Sequence, residues 1–185
     1  TEPEQLDEQL FAIVEQLNQG RALIETEAER VHLAQLNLQA AEKAKQASVW
    51  EAAVRYAQIG VALLPEAGWE SEYELAYALH LIRTECEFLV SNNDDAQALV
   101  DVLLRHAQTP LEKAQVCFLS GSQQAFLDAN YSIEKGLAGL SYCHVQVPDM
   151  TQIDEDLIEK EHQALKRLMI QKNWANETSV PLGNP

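Results

Sequence analysis

The sequence is short of residues that interrupt helices. Its 185 residues include seven glycines and six prolines, too few for the turn-dense chain of a sandwich or barrel. Basic residues are scarce as well: 13 Lys and Arg stand against 29 Asp and Glu, a formal net charge of -16. That excess repels nucleic-acid phosphates and anionic membrane surfaces, so neither is an expected partner. No apolar run approaches the roughly 20 residues of a membrane-spanning helix, and no secretory leader opens the chain. Cysteine is limited to Cys86, Cys117 and Cys143. An odd number without close spacing excludes a disulfide framework and a paired-cysteine metal site. All three are expected as buried free thiols on apolar helix faces, in a reducing cytoplasm. Strand-like alternation is missing too, as are the phosphate-binding glycine loop, the kinase catalytic loop and the DFG triplet.

What remains is rich in Ala, Leu, Glu and Gln, all good helix formers. Hydrophobic residues make up 46% of the chain, enough to build a core. The organising stretch is 40–65, AAEKAKQASVWEAAVRYAQIGVALLP. It reads as two helices joined by a tight turn near 46–48, with Pro65 ending the second. Small residues, Ala40, Ala41 and Ala44 on the first helix and Ala53, Ala57 and Gly60 on the second, mark the crossing.

Helical spacing of Leu6, Leu10, Ile13, Val14 and Leu17 predicts a first helix over 4–18. Thr26 and Glu29 form a capping-box pattern opening a helix over 27–46. Further helices are predicted over 49–64, 71–91, 96–107, 110–128, 131–142 and 154–171. Asn92–Asp95 supply capping oxygens for the turn before 96. Thr109 and Pro110 are N-cap and first-turn residues, and Asn130 is the expected cap of the helix to Tyr142. The expected organisation is an N-terminal helix within 1–26, three helical hairpins over 27–146, a capping helix within 147–172 and a linker-like tail over 173–185. The chain opens without methionine and reads as a segment of a longer polypeptide.

Chemistry-bearing patterns are sparse. Glu159 and His162 stand at metal-sharing helical spacing, but di-metal bundles need a second such pair and two more glutamates, so solvated surface is expected. Asp94 and Asp95 lack the alternating ligands of a calcium loop. Ser120-Gly-Ser122 lies within a predicted helix, not at a strand-to-helix elbow, and points to a helix kink or a close helix contact. Asn130-Tyr-Ser132 and Asn176-Glu-Thr178 match the glycosylation pattern, which a cytosolic chain would not use. No catalytic residue, metal or cofactor is expected. Trp50, Trp69, Tyr73 and Tyr77 fall near the first two hairpins, where core packing is the expected role. An aromatic-lined concave surface for a partner is the functional alternative.

Ala53, Ala96 and Ser132 stand where the tetratricopeptide repeat keeps a small residue early in its second helix. Ala41 and Pro65 match that repeat's crossing and closing positions. The markers are 43 and 36 residues apart, against the repeat's thirty-four, and Asn37 stands where the repeat has an aromatic. The resemblance implies an all-α, tetratricopeptide-like right-handed solenoid of antiparallel hairpins, about seven or eight helices. Three longer stretches, 15–65, 69–81 (WESEYELAYALHL) and 109–116 (TPLEKAQV), carry a second resemblance over about 13–148. They are similar to the helical region that follows the AAA-type ATPase module in large, cyanobacterial-type signal-transduction Ser/Thr and histidine kinases. That resemblance implies a non-catalytic interaction or linker module whose partners are proteins or neighbouring domains. A stand-alone adaptor binding a peptide or small ligand is the alternative; the reading frame around the segment separates the two.

Overall fold

The computed structural model describes residues 2–125 and 128–147 and, further on, 158–160, 162–164 and 166–167. The chain divides into two compact units, Thr1–Val145 and Gln146–Pro185. In the second, the described residues beyond 157 are helical and exposed. Glu159 and His162 are among them, and Glu159 accepts a bond from Gln163, as expected of a solvated face. The tail over 173–185 lies outside the described residues, as does most of 147–172. Among the described residues every regular element is helical and none is a strand.

The first unit contains α1 (Glu2–Gln19), a 3-10 turn (Arg21–Leu23), α2 (Glu27–Gln46), α3 (Trp50–Leu63), α4 (Gly68–Ser71), α5 (Tyr73–Leu89), α6 (Asn93–His106), α7 (Pro110–Gln124) and α8 (Ala129–Tyr142). Short links force neighbours to fold back on each other. α3 returns along α2, α6 along α5 and α8 along α7; α5 lies against α2 and α3, and α7 against α5 and α6. α1 lies against α2.

The α2–α3 crossing follows from its small residues. Ala40, Ala41, Ala44, Ala53, Ala57 and Gly60 are all buried, which brings the two backbones close. Gly60 also makes room for α5: a Cβ there would come within 2.5 Å of the Leu79 side chain. Tyr56, Ile82 and Cys86 complete this part of the core. A second cluster joins Tyr77 and Phe88 to Val100, Leu103, Val116 and Leu119.

Helix ends show where local sequence rules succeed and fail. The Thr26 hydroxyl accepts the Glu29 amide, and Thr109 with Glu112 forms a full capping box with Pro110 in the first turn. The cap of α8 is Asp128, whose carboxylate accepts the Tyr131 amide, in place of the expected Asn130. α7 ends at Gln124, short of the expected 128. α6 begins at Asn93 with no side-chain cap from Asn92, because the Asn92 amide donates to Glu87 instead, at 2.8 Å. Ser48, Ser91 and His144 adopt left-handed φ of 59°, 66° and 58° where α2, α5 and α8 end. There the amides of Val49, Asn92 and Val145 reach back to the carbonyls of Ala44, Glu87 and Leu140, closing helices without glycine. Val49, expected as the first residue of α3, is its exposed N-cap. Ile13 and Leu17 are exposed too; α1 buries Val14 and Asn18 in their stead. Cys86 and Cys117 are buried, but Cys143 is exposed, because it lies just past the end of α8.

Candidate interaction surface

The four aromatic residues do not form one surface. Trp69, Tyr73 and Tyr77 come together, while Trp50, half-buried at the first turn of α3, joins no ring contact among the described residues. The four-residue helix α4 positions Trp69. Gly68 is buried before it, and a Cβ there would come within 3.2 Å of Leu64, so the chain turns sharply and aims the indole at α5 and α6. Trp69 stacks on His106 with centroids 4.1 Å apart and planes 6° apart, and it meets His80 at 4.7 Å. Tyr73 lies 6.2 Å from Trp69 and stacks on Tyr77 at 6.0 Å. Offset aromatic pairs of this kind contribute about 0.5–1.5 kcal/mol each beyond their area burial.

Polar ends of the same rings are tied inward. The Tyr73 hydroxyl donates to Glu112 Oε2 at 2.9 Å and accepts from the Gln108 amide at 3.1 Å. The Tyr77 hydroxyl donates to the Glu112 carbonyl at 3.3 Å. Burial, the Glu112 charge and Tyr73 push the Tyr77 hydroxyl up to about 12, so it remains a proton donor. Burial depresses the His80 imidazole; its bond to the Ala76 carbonyl opposes that, and Arg83 and His106 add to it. His80 is therefore neutral, with Nδ1–H donating to Ala76 at 2.7 Å. Partial burial raises the Glu112 carboxyl, but bonds from Thr109, Tyr73 and Gln108 outweigh it and hold the group below its usual range. Burial pushes the Cys86 thiol up to about 11 and also raises Cys117, which removes thiolate character from both.

The cluster thus chiefly joins α4, α5, α6 and α7. His80, His106 and Glu112 belong to it and were not expected. The spacing of the aromatics points to Trp69–Tyr73–Tyr77 on consecutive turns, but nothing local in sequence shows that His106 and Glu112 reach them from later helices. Among the open hollows of the first unit, one borders the cluster through Tyr73 and another lies between the first two long helices. One, about 540 Å³, is lined by Gln35, Leu38, Glu70, Tyr73 and Leu75. The other, about 420 Å³ and more apolar, is lined by Leu17, Ile24, His32, Leu33 and Leu36. Among the described residues no group of three or more His, Cys, Asp or Glu is placed to hold a metal ion. Among them also, no helix is long and apolar enough to cross a membrane.

No protein-family profile matches this chain, and no solved structure matches it. Among curated proteins, it is similar to the Hybrid signal transduction histidine kinase G of Dictyostelium discoideum. The two are 30% identical over 108 residues, which cover 54% of this chain and 3% of that protein. The chain therefore spans a small fraction of the length of the relative it matches, and its similarity is to a region of a signal-transduction histidine kinase.

Proposed function

We propose that this chain is a non-catalytic interaction or linker module of a multi-domain signal-transduction kinase, acting in the cytoplasm. The similarity to a region of a hybrid histidine kinase carries the proposal. The module holds neighbouring domains or a protein partner in a fixed spatial relation. Its scaffold is a tetratricopeptide-like, right-handed solenoid over 27–146, with 1–26 leading in. The succession of contacts supports this scaffold: each helix pair lies against the next, and the first helices of successive pairs, α2 with α5 and α5 with α7, also touch. Stacked hairpins of this kind contact their nearest neighbours and offer extended surfaces. Trp69, Tyr73 and Tyr77 support the inter-hairpin joint.

The reading frame around the segment tests the proposal. A kinase, ATPase or sensor domain encoded next to residues 1–185 is the expected result. A start codon immediately before Thr1 and a stop codon immediately after Pro185 would overturn it in favour of a stand-alone adaptor.

A further inference from the structure

A hollow of about 200 Å³ lies among α3, the link that follows it, α4 and α5. Every wall belongs to the first unit. Val61, Leu64 and Pro65 form its apolar side, Trp69 gives it an aromatic wall, Glu66 brings an exposed carboxylate, and His80 lines it from α5. The link is pinned at both ends. The Leu64 amide donates to the Val61 carbonyl at 3.2 Å, and the Gly68 amide to the Pro65 carbonyl at 2.9 Å. Proline also fixes its own φ. The hollow is therefore preformed, with apolar walls and few polar groups, as small-molecule sites commonly are.

His80 is the second observation. It is 9% exposed, and its Nδ1–H is spent on the Ala76 carbonyl at 2.7 Å. A carbonyl only accepts, so in the neutral ring Nε2 carries the lone pair. Among the described residues no group donates to Nε2. Yet among them no enclosed side-chain nitrogen or oxygen lacks a partner. Nε2 therefore reaches accessible space, and the space that His80 lines is this hollow. Packing on Trp69, 4.7 Å away, needs only a ring. The second nitrogen adds a hydrogen-bond acceptor beside the indole wall.

We propose that this hollow binds a small, uncharged ring compound carrying one N–H or O–H donor, and that His80 Nε2 accepts its hydrogen. Size sets the ring count. A cavity of about 150 Å³ holds one benzene ring, so the hollow of about 200 Å³ suits one ring or two fused rings. Trp69 offers an aromatic surface against which such a ring packs. The Glu66 carboxylate and the net charge of -16 oppose an anion. The apolar walls disfavour any full charge stripped of its hydration.

Indole carries such a donor, and benzofuran has the same fused-ring shape without it. Titration of the full 185-residue chain with each compound, from ~0.01 to ~5 mM, spans the dissociation constants open to so small a ligand. Indole is expected to saturate one site at submillimolar concentration. Benzofuran is expected to bind roughly tenfold more weakly, because it leaves Nε2 unpaired. The nitrogen resonance of His80 Nε2 shifts as indole saturates the site. Val61→Phe narrows the hollow from α3 and leaves His80 in place; it keeps the helical spectrum and loses indole binding. The comparison of indole with benzofuran is made on the wild-type chain, so it decides the matter even where the variant does not fold. No indole binding up to ~5 mM overturns the proposal. So does benzofuran binding as tightly as indole, a Nε2 resonance that stays in place at saturation, or unchanged indole binding by folded Val61→Phe.

Discussion

Glu112 shows how one side chain can fix the geometry of a joint. Its Oε2 accepts the amides of Gln108 and Thr109, both at 2.8 Å, and the Tyr73 hydroxyl at 2.9 Å. It therefore caps α7 and also ties the loop before α7 to α5. Because these bonds hold its carboxyl below the usual value of 4.5, the folded state favours the charged form. The linked stability is present above pH 4.5 and is lost as pH falls through the lower, folded value. Glu112→Gln is expected to lower the thermal midpoint at pH 7 by more than at an acid pH where the carboxyl is protonated in the folded state too. An equal difference at both pH values would show that lost packing, and not charge, was removed. A second residue-scale feature is the amide pair between α1 and α2. Asn18 donates to Asn37 at 2.9 Å, and Asn37 donates back at 2.8 Å and to the Leu33 carbonyl at 2.9 Å. Asn37 is fully buried, so Asn37→Ala strands the Asn18 amide and should cost about 1–3 kcal/mol. Replacing both residues with Leu should recover much of that loss. Urea denaturation of Asn37→Ala and of the double Leu variant checks both expectations.

Between elements, the decisive quantity is the distance at which two helices cross. Ala53 has no exposed surface and lies where α3 meets α2. Ala53→Leu adds three carbons to a filled space and is expected to cost roughly 1–3 kcal/mol as overpacking. A variant melting at the wild-type temperature would mean that α3 presents a different face to α2 than the structure places there. This crossing was legible in the sequence because it depends on residue size at helical spacing, which a single segment displays. The starts of α2 and α7 were legible because their signals are local: Thr26 with Glu29 three residues on, and Thr109 before Pro110. Other features depend on partners far away in the chain. Nothing around Asn37 announces that residue 18 lies across from it. Nothing around Glu87 announces its complete burial or its bonds from Gln58 at 3.2 Å and Asn92 at 2.8 Å. The aromatic cluster was half legible: Trp69, Tyr73 and Tyr77 share one segment, but His106 and Glu112 arrive from α6 and α7. Trp50 was grouped with them by nearness in sequence, and the α3 register points it elsewhere.

At the scale of the molecule, a chain of net charge -16 that resembles part of a kinase raises one direct question: whether phosphate chemistry resides in it. Binding a nucleoside triphosphate requires backbone amides arranged around the phosphates, normally by closely spaced glycines, with a lysine or magnesium to offset the charge. The seven glycines here are at 20, 60, 68, 121, 136, 139 and 183. Gly60, Gly121 and Gly139 lie within helices, where a side chain would strike the neighbouring helix. Gly68 is buried against Leu64, and Gly136 lies inside α8 with no lysine after it in that helix. Gly60, Gly121 and Gly139 serve helix contacts, and the acidic surface adds a field that opposes a polyphosphate. The chain is accordingly expected neither to bind magnesium-ATP nor to transfer its phosphate, so that any such chemistry belongs to other parts of a kinase polypeptide. Titration calorimetry with magnesium-ATP checks the first expectation, and incubation with labelled ATP the second. Binding at micromolar concentration, or label retained on the denatured chain, would place a phosphate site among these helices and end the assignment of a non-catalytic module.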